Sequence, residues 1–350
     1  MDQAMGFVFL LLGAMCGGSF GLPSKYVPKD TPWEKLWGPF FLFVTVAMPL
    51  VVGPLLVNDL FGIYARVGAS GLTVPLVFGF LWGAGSMTLG LSFAFIGLSL
   101  AYSLNYGAQI IFGALTPMLL LHRDRIGTPQ GMVILLGVAV CVVGVVLSGR
   151  AGMLKDQDAQ AAQEPPVEDE APPAPTGQPK MLVGLLIAVL SGFLCSCYGT
   201  AADGTKAIAA AATAAGNDPG RVSVATVCII LWGGALSACL YCAAKLSKNN
   251  TWGSFRQPGT GLVLGIALLM ACLHNGALWF ANLGFPRLGE LGVPLGYPAF
   301  MSFAIIVGNV HGFRTGEWQG ASARSVRLVA VGIAVLIIGV CVLAQGQAMK

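Results

Sequence analysis

The sequence predicts an all-α polytopic membrane protein whose ten transmembrane helices form two inverted repeats of five helices. Three observations predict this fold class. Hydrophobic residues make up 56% of the chain and charged residues only 10%, against about 25% charged residues in ordinary soluble domains. Apolar runs of about 20 residues, the length that crosses a bilayer, fill most of the chain. A polar segment divides these runs into two sets of five, and an odd number of helices inverts the second set.

The composition also excludes several classes of protein. So few charged residues are incompatible in practice with a soluble enzyme, a nucleic-acid-binding protein or a secreted disulfide-stabilised domain. The 48 glycines are typical of helices that approach each other closely in lipid. No motif for catalysis, nucleotide binding or metal binding occurs in a suitable context. The sequence therefore predicts a protein that is not an enzyme and that needs no cofactor or metal.

The apolar runs and the polar segment give the domain organisation. Residues 1–150 are expected to form the first five-helix repeat and residues 181–350 the second. Residues 151–180 are expected to form a disordered linker, because Lys155–Pro179 holds six prolines and six acidic residues and cannot bury apolar surface. The ten predicted spans lie at residues 3–22, 36–57, 73–95, 98–121, 130–149, 181–202, 222–244, 261–283, 288–310 and 325–345.

The fifth and tenth spans resemble each other most closely. Gly137, Ala139, Val140, Gly144 and Val145 match Gly332, Ala334, Val335, Gly339 and Val340 in the same order and spacing. Gly13 and Cys16 of the first span are similarly placed to Gly192 and Cys195 of the sixth. Inverted repeats are the architecture of alternating-access transporters, which hold the substrate near the middle of the membrane.

The loop charges predict the orientation in the membrane. Of the lysines and arginines, 12 lie on the side of the linker and seven on the other side. Because cytoplasmic loops carry more basic residues, the linker is expected in the cytoplasm and both termini outside. The expected location is a bacterial-type cytoplasmic (inner) membrane, with lipid as the surrounding partner.

Polar side chains in the fourth and eighth spans are the candidates for substrate binding. Residues three and four apart share one face of a helix, and the candidates at this spacing are Tyr102, Asn105, Tyr106 and Gln109 in one span and Asn275, Trp279 and Asn282 in the other. His274 flanks the second group, and Trp82 and Tyr198 are candidates for an aromatic wall. Amides and aromatic rings suit an uncharged polyhydroxylated ligand. Hydrogen bonding between helices and aromatic packing remain the alternatives.

Few ionisable residues are available for coupling transport to an ion. The candidates are Lys25, Asp203, Lys206, His274 and Glu290. Asp203 and Lys206 are three residues apart, so they are expected to pair, and His274 can exchange a proton near neutral pH. The alternative for each charged residue is a helix-end position at the lipid headgroups.

The order and spacing of many short motifs resemble the L-rhamnose–proton symporter family, a ten-helix branch of the drug/metabolite transporter superfamily. The motifs include Pro23-Ser24-Lys25, Trp82-Gly83-x-Gly85, Gly97-x-Ser99, Arg150-Ala151-Gly152 and Glu317-Trp318. The resemblance covers the chain except the linker, and it implies proton-coupled sugar uptake. Tyr102, Asn105 and Gln109 stand where the family pattern is small or apolar. Tyr297, a further substrate-binding candidate, lies in a stretch that departs from the pattern.

These observations predict a secondary active transporter for proton-coupled uptake of L-rhamnose or a related neutral (deoxy)sugar by alternating access. Its partners are a small-molecule sugar, a proton and lipid, with no nucleic acid; the oligomeric state stays open. Two alternatives are a metabolite exporter of the same superfamily and a sugar-sensing membrane receptor that binds without transport.

Overall fold

The computed structural model describes residues 2–120, 126–161, 178–288 and 296–349, and every regular element in these ranges is helical. A π-helical turn at Phe43–Ala47 joins α2 to α3, and 3-10 helices lie at Leu22–Tyr26 and Trp252–Arg256. The α-helices are α1 (Asp2–Ser19), α2 (Trp33–Leu42), α3 (Met48–Leu56), α4 (Leu60–Leu120), α5 (Pro129–Ala161), α6 (Gln178–Asp203), α7 (Lys206–Ala214), α8 (Pro219–Lys248), α9 (Thr260–Arg287), α10 (Tyr297–Arg314) and α11 (Ala323–Ala348).

Within the described ranges, eight helical stretches are long and apolar enough to cross a membrane. One of them, Leu60–Thr116, has 57 residues and covers both the third and the fourth predicted spans. The ninth predicted span, 288–310, includes residues 289–295, which lie outside the described ranges, and ends within α10. The prediction of an all-α polytopic membrane protein is confirmed. The number of ten helices and their arrangement as two repeats stay predictions.

Helix α4 is interrupted at Gly97, between the third and fourth predicted spans. Gly97 has a φ of +76°, a left-handed conformation that a right-handed helix cannot contain without a break. The side chain of Glu317 caps the new helix start, because its carboxylate accepts hydrogen bonds from the backbone N–H groups of Leu98 (2.6 Å) and Ser99 (2.9 Å). Such a cap satisfies donors that have no partner in the first turn of a helix.

Both ends of the predicted linker are helical. Residues 151–161, expected to belong to a disordered segment, extend α5 to Ala161. The chain contains no proline between Pro129 and Pro165, so nothing in this stretch stops the helix that started within the apolar run. Residues 178–180, at the other end, already belong to α6. The rest of the predicted linker, residues 162–177, lies outside the described ranges.

The chain forms two compact units. Unit 1 comprises Met1–Met87 and Leu194–Phe300, and unit 2 comprises Thr88–Phe193 and Met301–Lys350. Each unit therefore contains parts of both halves of the sequence. In unit 1 helix α1 packs along α9, and in unit 2 helix α5 packs along α11. These units do not test the division of the sequence at residues 151–180, which stays a prediction.

The contact between α5 and α11 in unit 2 is a close antiparallel seam of glycines. A Cβ atom on Gly137 would lie 2.7 Å from the backbone nitrogen of Leu343, and one on Gly144 would lie 2.8 Å from that of Leu336. From the other helix, a Cβ atom on Gly332 would lie 2.9 Å from the nitrogen of Ser148, and one on Gly339 would lie 2.7 Å from that of Cys141. Only glycine fits at these four positions, because the two backbones touch.

Candidate functional site

Three aromatic rings surround His274 in unit 1. The imidazole of His274, on α9, meets the ring of Phe20 edge-on at a centroid distance of 5.1 Å and that of Phe40 at 5.8 Å. The indole of Trp82, on α4, lies 5.7 Å away. We call His274, Phe20, Phe40 and Trp82 the His274 cage. Phe20 follows the end of α1 and Phe40 lies on α2, so four segments of unit 1 build the cage.

The cage continues into a second aromatic and polar group of unit 1. The ring of Tyr198, on α6, lies against Trp82 at a centroid distance of 5.9 Å. The side chain of Asn282 interacts with the Tyr198 hydroxyl and also donates a hydrogen bond to the backbone oxygen of Leu278 (2.8 Å). The predicted aromatic wall of Trp82 and Tyr198 is therefore a direct contact in the structure.

Three buried polar atoms of α9 lack a hydrogen-bond partner among the residues that the structure describes. They are Nδ1 of His274, Oδ1 of Asn275 and Nε1 of Trp279. An unpaired buried donor or acceptor costs about 1–3 kcal/mol, so three of them within six residues demand an explanation. A ligand with several hydroxyl groups supplies both donors and acceptors, which are the partners that these atoms lack.

The amide of Asn275 also stabilises the irregular turn between α2 and α3. Its Nδ2 donates to the backbone oxygen of Val44 at 3.2 Å, within the π-helical turn. In a π-helix this oxygen would accept from the residue five positions later, which is Pro49, and proline has no N–H. Asn275 is fully buried and replaces that donor. Its Nδ2 therefore has a structural partner, while its Oδ1 stays unpaired.

The predicted stripe of the fourth span lies in unit 2 and is internally hydrogen-bonded. Nδ2 of Asn105 donates to Oγ of Ser191 at 2.7 Å, and Nε2 of Gln109 donates to Oδ1 of Asn105 at 2.6 Å. The rings of Tyr102 and Tyr106 lie 5.5 Å apart. Tyr102 and Asn105 are both fully buried. These contacts join the two amides to each other and fasten α4 to α6.

Sequence reasoning missed a polar network next to the break at Gly97, also in unit 2. Oγ of Ser99 donates to Oδ1 of Asn309 (2.5 Å) and accepts from Nε1 of Trp318 (3.1 Å). Nδ2 of Asn309 donates in turn to Oγ of Ser103 at 2.8 Å. Glu317, the cap of the helix start, adjoins Trp318 in sequence. The motifs Gly97-x-Ser99 and Glu317-Trp318 mark these positions, but only as parts of a family pattern.

The structure separates the candidates for ion coupling. Lys25 is exposed, in the 3-10 helix after α1. Nζ of Lys206 and Oδ1 of Asp203 form the expected pair at 3.9 Å, but their side chains are 85% and 81% exposed. Glu290 lies outside the described ranges. His274 is therefore the candidate that the structure places among buried aromatic rings.

The last substrate-binding candidate, Tyr297, lies at the start of α10 in unit 1. Its ring is 6.3 Å from that of Phe285 on α9, and the residue is half-buried. Trp279 is also half-buried.

No group of three or more His, Cys, Asp or Glu side chains suitable for a metal ion occurs in the described parts of the chain. The buried site candidates in the described ranges are thus aromatic rings, amides and one histidine.

Buried neutral polar and aromatic side chains in a multi-pass helical membrane protein are typical of a transporter for a small polar solute. The chain belongs to the L-rhamnose-proton symport protein family, whose family model matches residues 1–349. Its relatives include proteins named L-rhamnose-proton symporter from Cronobacter sakazakii, Citrobacter koseri and Salmonella paratyphi B. Each is 28% identical over 351 aligned positions, which cover 98% of this chain and 98% of the relative. The resemblance seen in the sequence and the assignment to transporters rather than enzymes are confirmed.

Proposed function

We propose that this protein takes up L-rhamnose, or a related neutral deoxysugar, together with protons by secondary active transport. The family and the names of its relatives support this substrate and this ion. The observation that carries the proposal is the group of unpaired polar atoms on α9 beside aromatic rings. Rings cover the C–H faces of a sugar, and unpaired donors and acceptors bind its hydroxyl groups.

We assign the sugar contacts first to unit 1. Asn275 and Trp279 contribute unpaired polar atoms, Trp82 contributes a ring, and Asn282 and Tyr297 lie on the same or the following helix. The assignment of Tyr102, Asn105 and Gln109 to sugar binding stays a prediction. Because Asn105 has protein partners on both sides, we give this stripe the role of fastening α4 to α6 within unit 2.

We propose that transport proceeds by alternating access between two inverted repeats, and two sets of contacts support this proposal. In the seam of unit 2, the contact of Gly137 with Leu343 is equivalent to the contact of Gly332 with Ser148 from the other helix. The contact of Gly144 with Leu336 is equivalent in the same way to that of Gly339 with Cys141. In unit 1, a Cβ atom on Gly276 would lie 3.5 Å from Sγ of Cys16, and one on Gly85 would lie 2.9 Å from Sγ of Cys195. Cys16 and Cys195 are the positions that the sequence comparison of spans one and six pairs.

The proposed location is the cytoplasmic membrane of a bacterium. The distribution of 12 basic residues on the linker side and seven on the other supports a cytoplasmic linker and external termini. Cysteine labelling tests this orientation, with the exposed Cys272 and Cys341 first replaced by serine. A membrane-impermeant maleimide should label Lys350→Cys in intact cells and Lys180→Cys, at the end of the predicted linker, only after lysis. The reverse pattern would refute this orientation.

Uptake of labelled L-rhamnose into proteoliposomes, with and without an imposed inward proton gradient, tests the proposed function. The gradient should drive accumulation, and a protonophore should abolish it. If no neutral sugar accumulates, the proposal is wrong. Efflux from loaded vesicles without gradient-driven uptake would favour the metabolite exporter, and binding without any flux would favour the receptor.

A further inference from the structure

We propose that His274 carries the proton of the symport, and that an oxygen atom of the bound sugar accepts a hydrogen bond from the protonated imidazole. This inference rests on the proposed function and adds to it the residue that couples the sugar to the proton. The position of His274 relative to the other ionisable candidates is the first observation that supports it.

Coupling requires a group whose protonation depends on the presence of the sugar. The pair of Asp203 and Lys206 fails this condition, because both side chains are more than four-fifths exposed and a sugar among buried side chains would not change their surroundings. Lys25 is exposed as well. His274 differs because its Nδ1 is buried and its ring contacts three aromatic rings. Of the described candidates, it is the one whose surroundings a ligand would change.

The groups that face His274 leave its protonated form incompletely stabilised. The rings of Phe20 after α1, Phe40 on α2 and Trp82 on α4 contact the imidazole, and an aromatic ring attracts a cation that lies over its face. From α9 comes the amide of the adjacent Asn275. The ring of Tyr198, on α6, lies against Trp82. Among the residues that the structure describes, no carboxylate forms an ion pair with His274 and no lysine or arginine faces it.

An imidazolium has two N–H donors, whereas the neutral ring has one donor and one acceptor. Without a sugar, no described residue lies in hydrogen-bonding geometry to Nδ1, and the adjacent Asn275 side chain only partly stabilises the charged ring. A sugar oxygen placed to accept from Nδ1 supplies the missing acceptor and stabilises the charged ring more than the neutral one. By the reciprocity of linked equilibria, protonation must then raise the affinity for sugar by the same factor. Sugar and proton therefore bind together, which is the thermodynamic requirement for symport.

The substitution that tests this inference is His274→Gln. Glutamine can still offer an N–H to a sugar oxygen, but it cannot take up a proton. His311→Gln is the matched control, because His311 belongs to unit 2, whereas the cage and the proposed sugar contacts belong to unit 1. Both variants are made in the full chain and reconstituted beside the wild type, with size-exclusion profiles to verify folding.

Two transport assays separate sugar binding from coupling. Counterflow of labelled L-rhamnose without a proton gradient requires sugar binding but no net proton transfer. Accumulation driven by a proton gradient requires coupling. We expect His274→Gln to lower gradient-driven accumulation about tenfold more than it lowers counterflow, and to abolish the rhamnose-induced uptake of protons. His311→Gln should behave like the wild type in both assays.

Each other outcome has a defined meaning. Gradient-driven accumulation by His274→Gln at the wild-type level would overturn the inference. An equal loss of counterflow and accumulation in a folded variant would also overturn it, because His274 would then contribute to sugar binding without a coupling role. If the wild type itself transports no rhamnose, the proposed function fails, and that result is distinct from both.

Chemical modification of the wild type tests the inference without requiring that a variant folds. Diethyl pyrocarbonate modifies neutral histidine, and mass spectrometry of the peptide that contains His274 quantifies the modification. Saturating L-rhamnose should lower modification of His274 by about tenfold and leave His311 unchanged. Equal modification of His274 with and without rhamnose would overturn the inference.

Discussion

Helix α9 in unit 1 and the part of α4 that follows Gly97 in unit 2 both carry amide and aromatic side chains. They differ in whether the polar atoms of these side chains have hydrogen-bond partners. In unit 2, Asn105 donates to Ser191 and accepts from Gln109. In unit 1, Nδ1 of His274, Oδ1 of Asn275 and Nε1 of Trp279 are buried without a partner in the described residues. The two amides of unit 2 are thus hydrogen-bonded to each other, whereas three polar atoms of α9 lack a partner among the described residues.

We expect this difference to separate polar residues that hold helices together from polar residues that bind a ligand. Buried polar groups in native proteins are almost always paired, so an unpaired cluster is a candidate ligand-binding position. Other unpaired atoms in the described ranges occur at Ser148, Trp232 and Ser254, but each is isolated along its helix, whereas α9 carries three within six residues. Unit 2 is accordingly expected to respond to substitution through stability, and α9 through sugar binding.

The largest expected effect on stability concerns the glycine seam of unit 2. A Cβ atom on Gly144 would lie 2.8 Å from the backbone nitrogen of Leu336, which cannot move aside like a side chain. We expect Gly144→Ala to lower the free energy of unfolding by about 3 kcal/mol, measured by thermal unfolding in detergent. Gly149→Ala on the same helix is the control, because nothing lies within 4 Å of its Cβ position. Equal stability of the two variants would refute the tight seam.

The next effect concerns the paired amides of unit 2. Asn105→Ala removes the donor to Ser191 and the acceptor of Gln109, so we expect a loss of about 2 kcal/mol in unfolding free energy. Rhamnose affinity of the folded fraction should change by less than about threefold. Gln109→Ala, which removes one hydrogen bond from a half-buried residue, should cost less. A stable Asn105→Ala variant that fails to bind rhamnose would reverse the roles of the two units.

Two tryptophans, Trp279 in unit 1 and Trp318 in unit 2, allow a direct comparison of an unpaired and a paired indole N–H. Trp279→Phe keeps an aromatic ring but removes the unpaired Nε1, so rhamnose affinity should fall about tenfold while stability is unchanged. Trp318→Phe removes a donor that is bonded to Ser99 at 3.1 Å, so stability should fall while affinity is unchanged. Calorimetric titration with L-rhamnose and thermal unfolding measure the two quantities. Wild-type affinity in Trp279→Phe would show that its Nε1 does not contact the sugar.

A smaller effect is expected at the cap of the broken helix. Glu317→Gln keeps one acceptor oxygen for the N–H groups of Leu98 and Ser99 but replaces the other with a donor. The loss of one capping hydrogen bond should lower the unfolding free energy by about 1 kcal/mol. Gln319→Ala, an exposed neighbour, serves as the control. An unchanged melting temperature in Glu317→Gln would show that the break at Gly97 does not depend on this cap.

The smallest effect is expected for the exposed ion pair. Lys206→Ala and Asp203→Asn disrupt a pair whose side chains are more than four-fifths exposed, and exposed pairs contribute little. Gradient-driven rhamnose accumulation should therefore stay within about twofold of the wild type. A loss of accumulation that spares counterflow in either variant would move the coupling role from His274 to this pair.

The sequence predicts the helices well because apolar length alone defines a membrane span. It does not predict which polar atoms are satisfied, since their partners are far away in sequence. Ser191 is 86 residues from Asn105, and Glu317 is 219 residues from Leu98. It also does not predict the extension of α5 to Ala161, because a polar composition is compatible with an exposed helix as well as with disorder, and no proline intervenes there.

The most direct test of His274 and Trp279 as sugar contacts is a structure of the protein with L-rhamnose bound, determined by electron cryomicroscopy in a lipid nanodisc. We predict sugar oxygens within about 3.2 Å of Nδ1 of His274 and Nε1 of Trp279, with Asn105 still bonded to Ser191. Sugar density that contacts Asn105 and Gln109 and leaves the polar atoms of α9 unpaired would contradict this prediction.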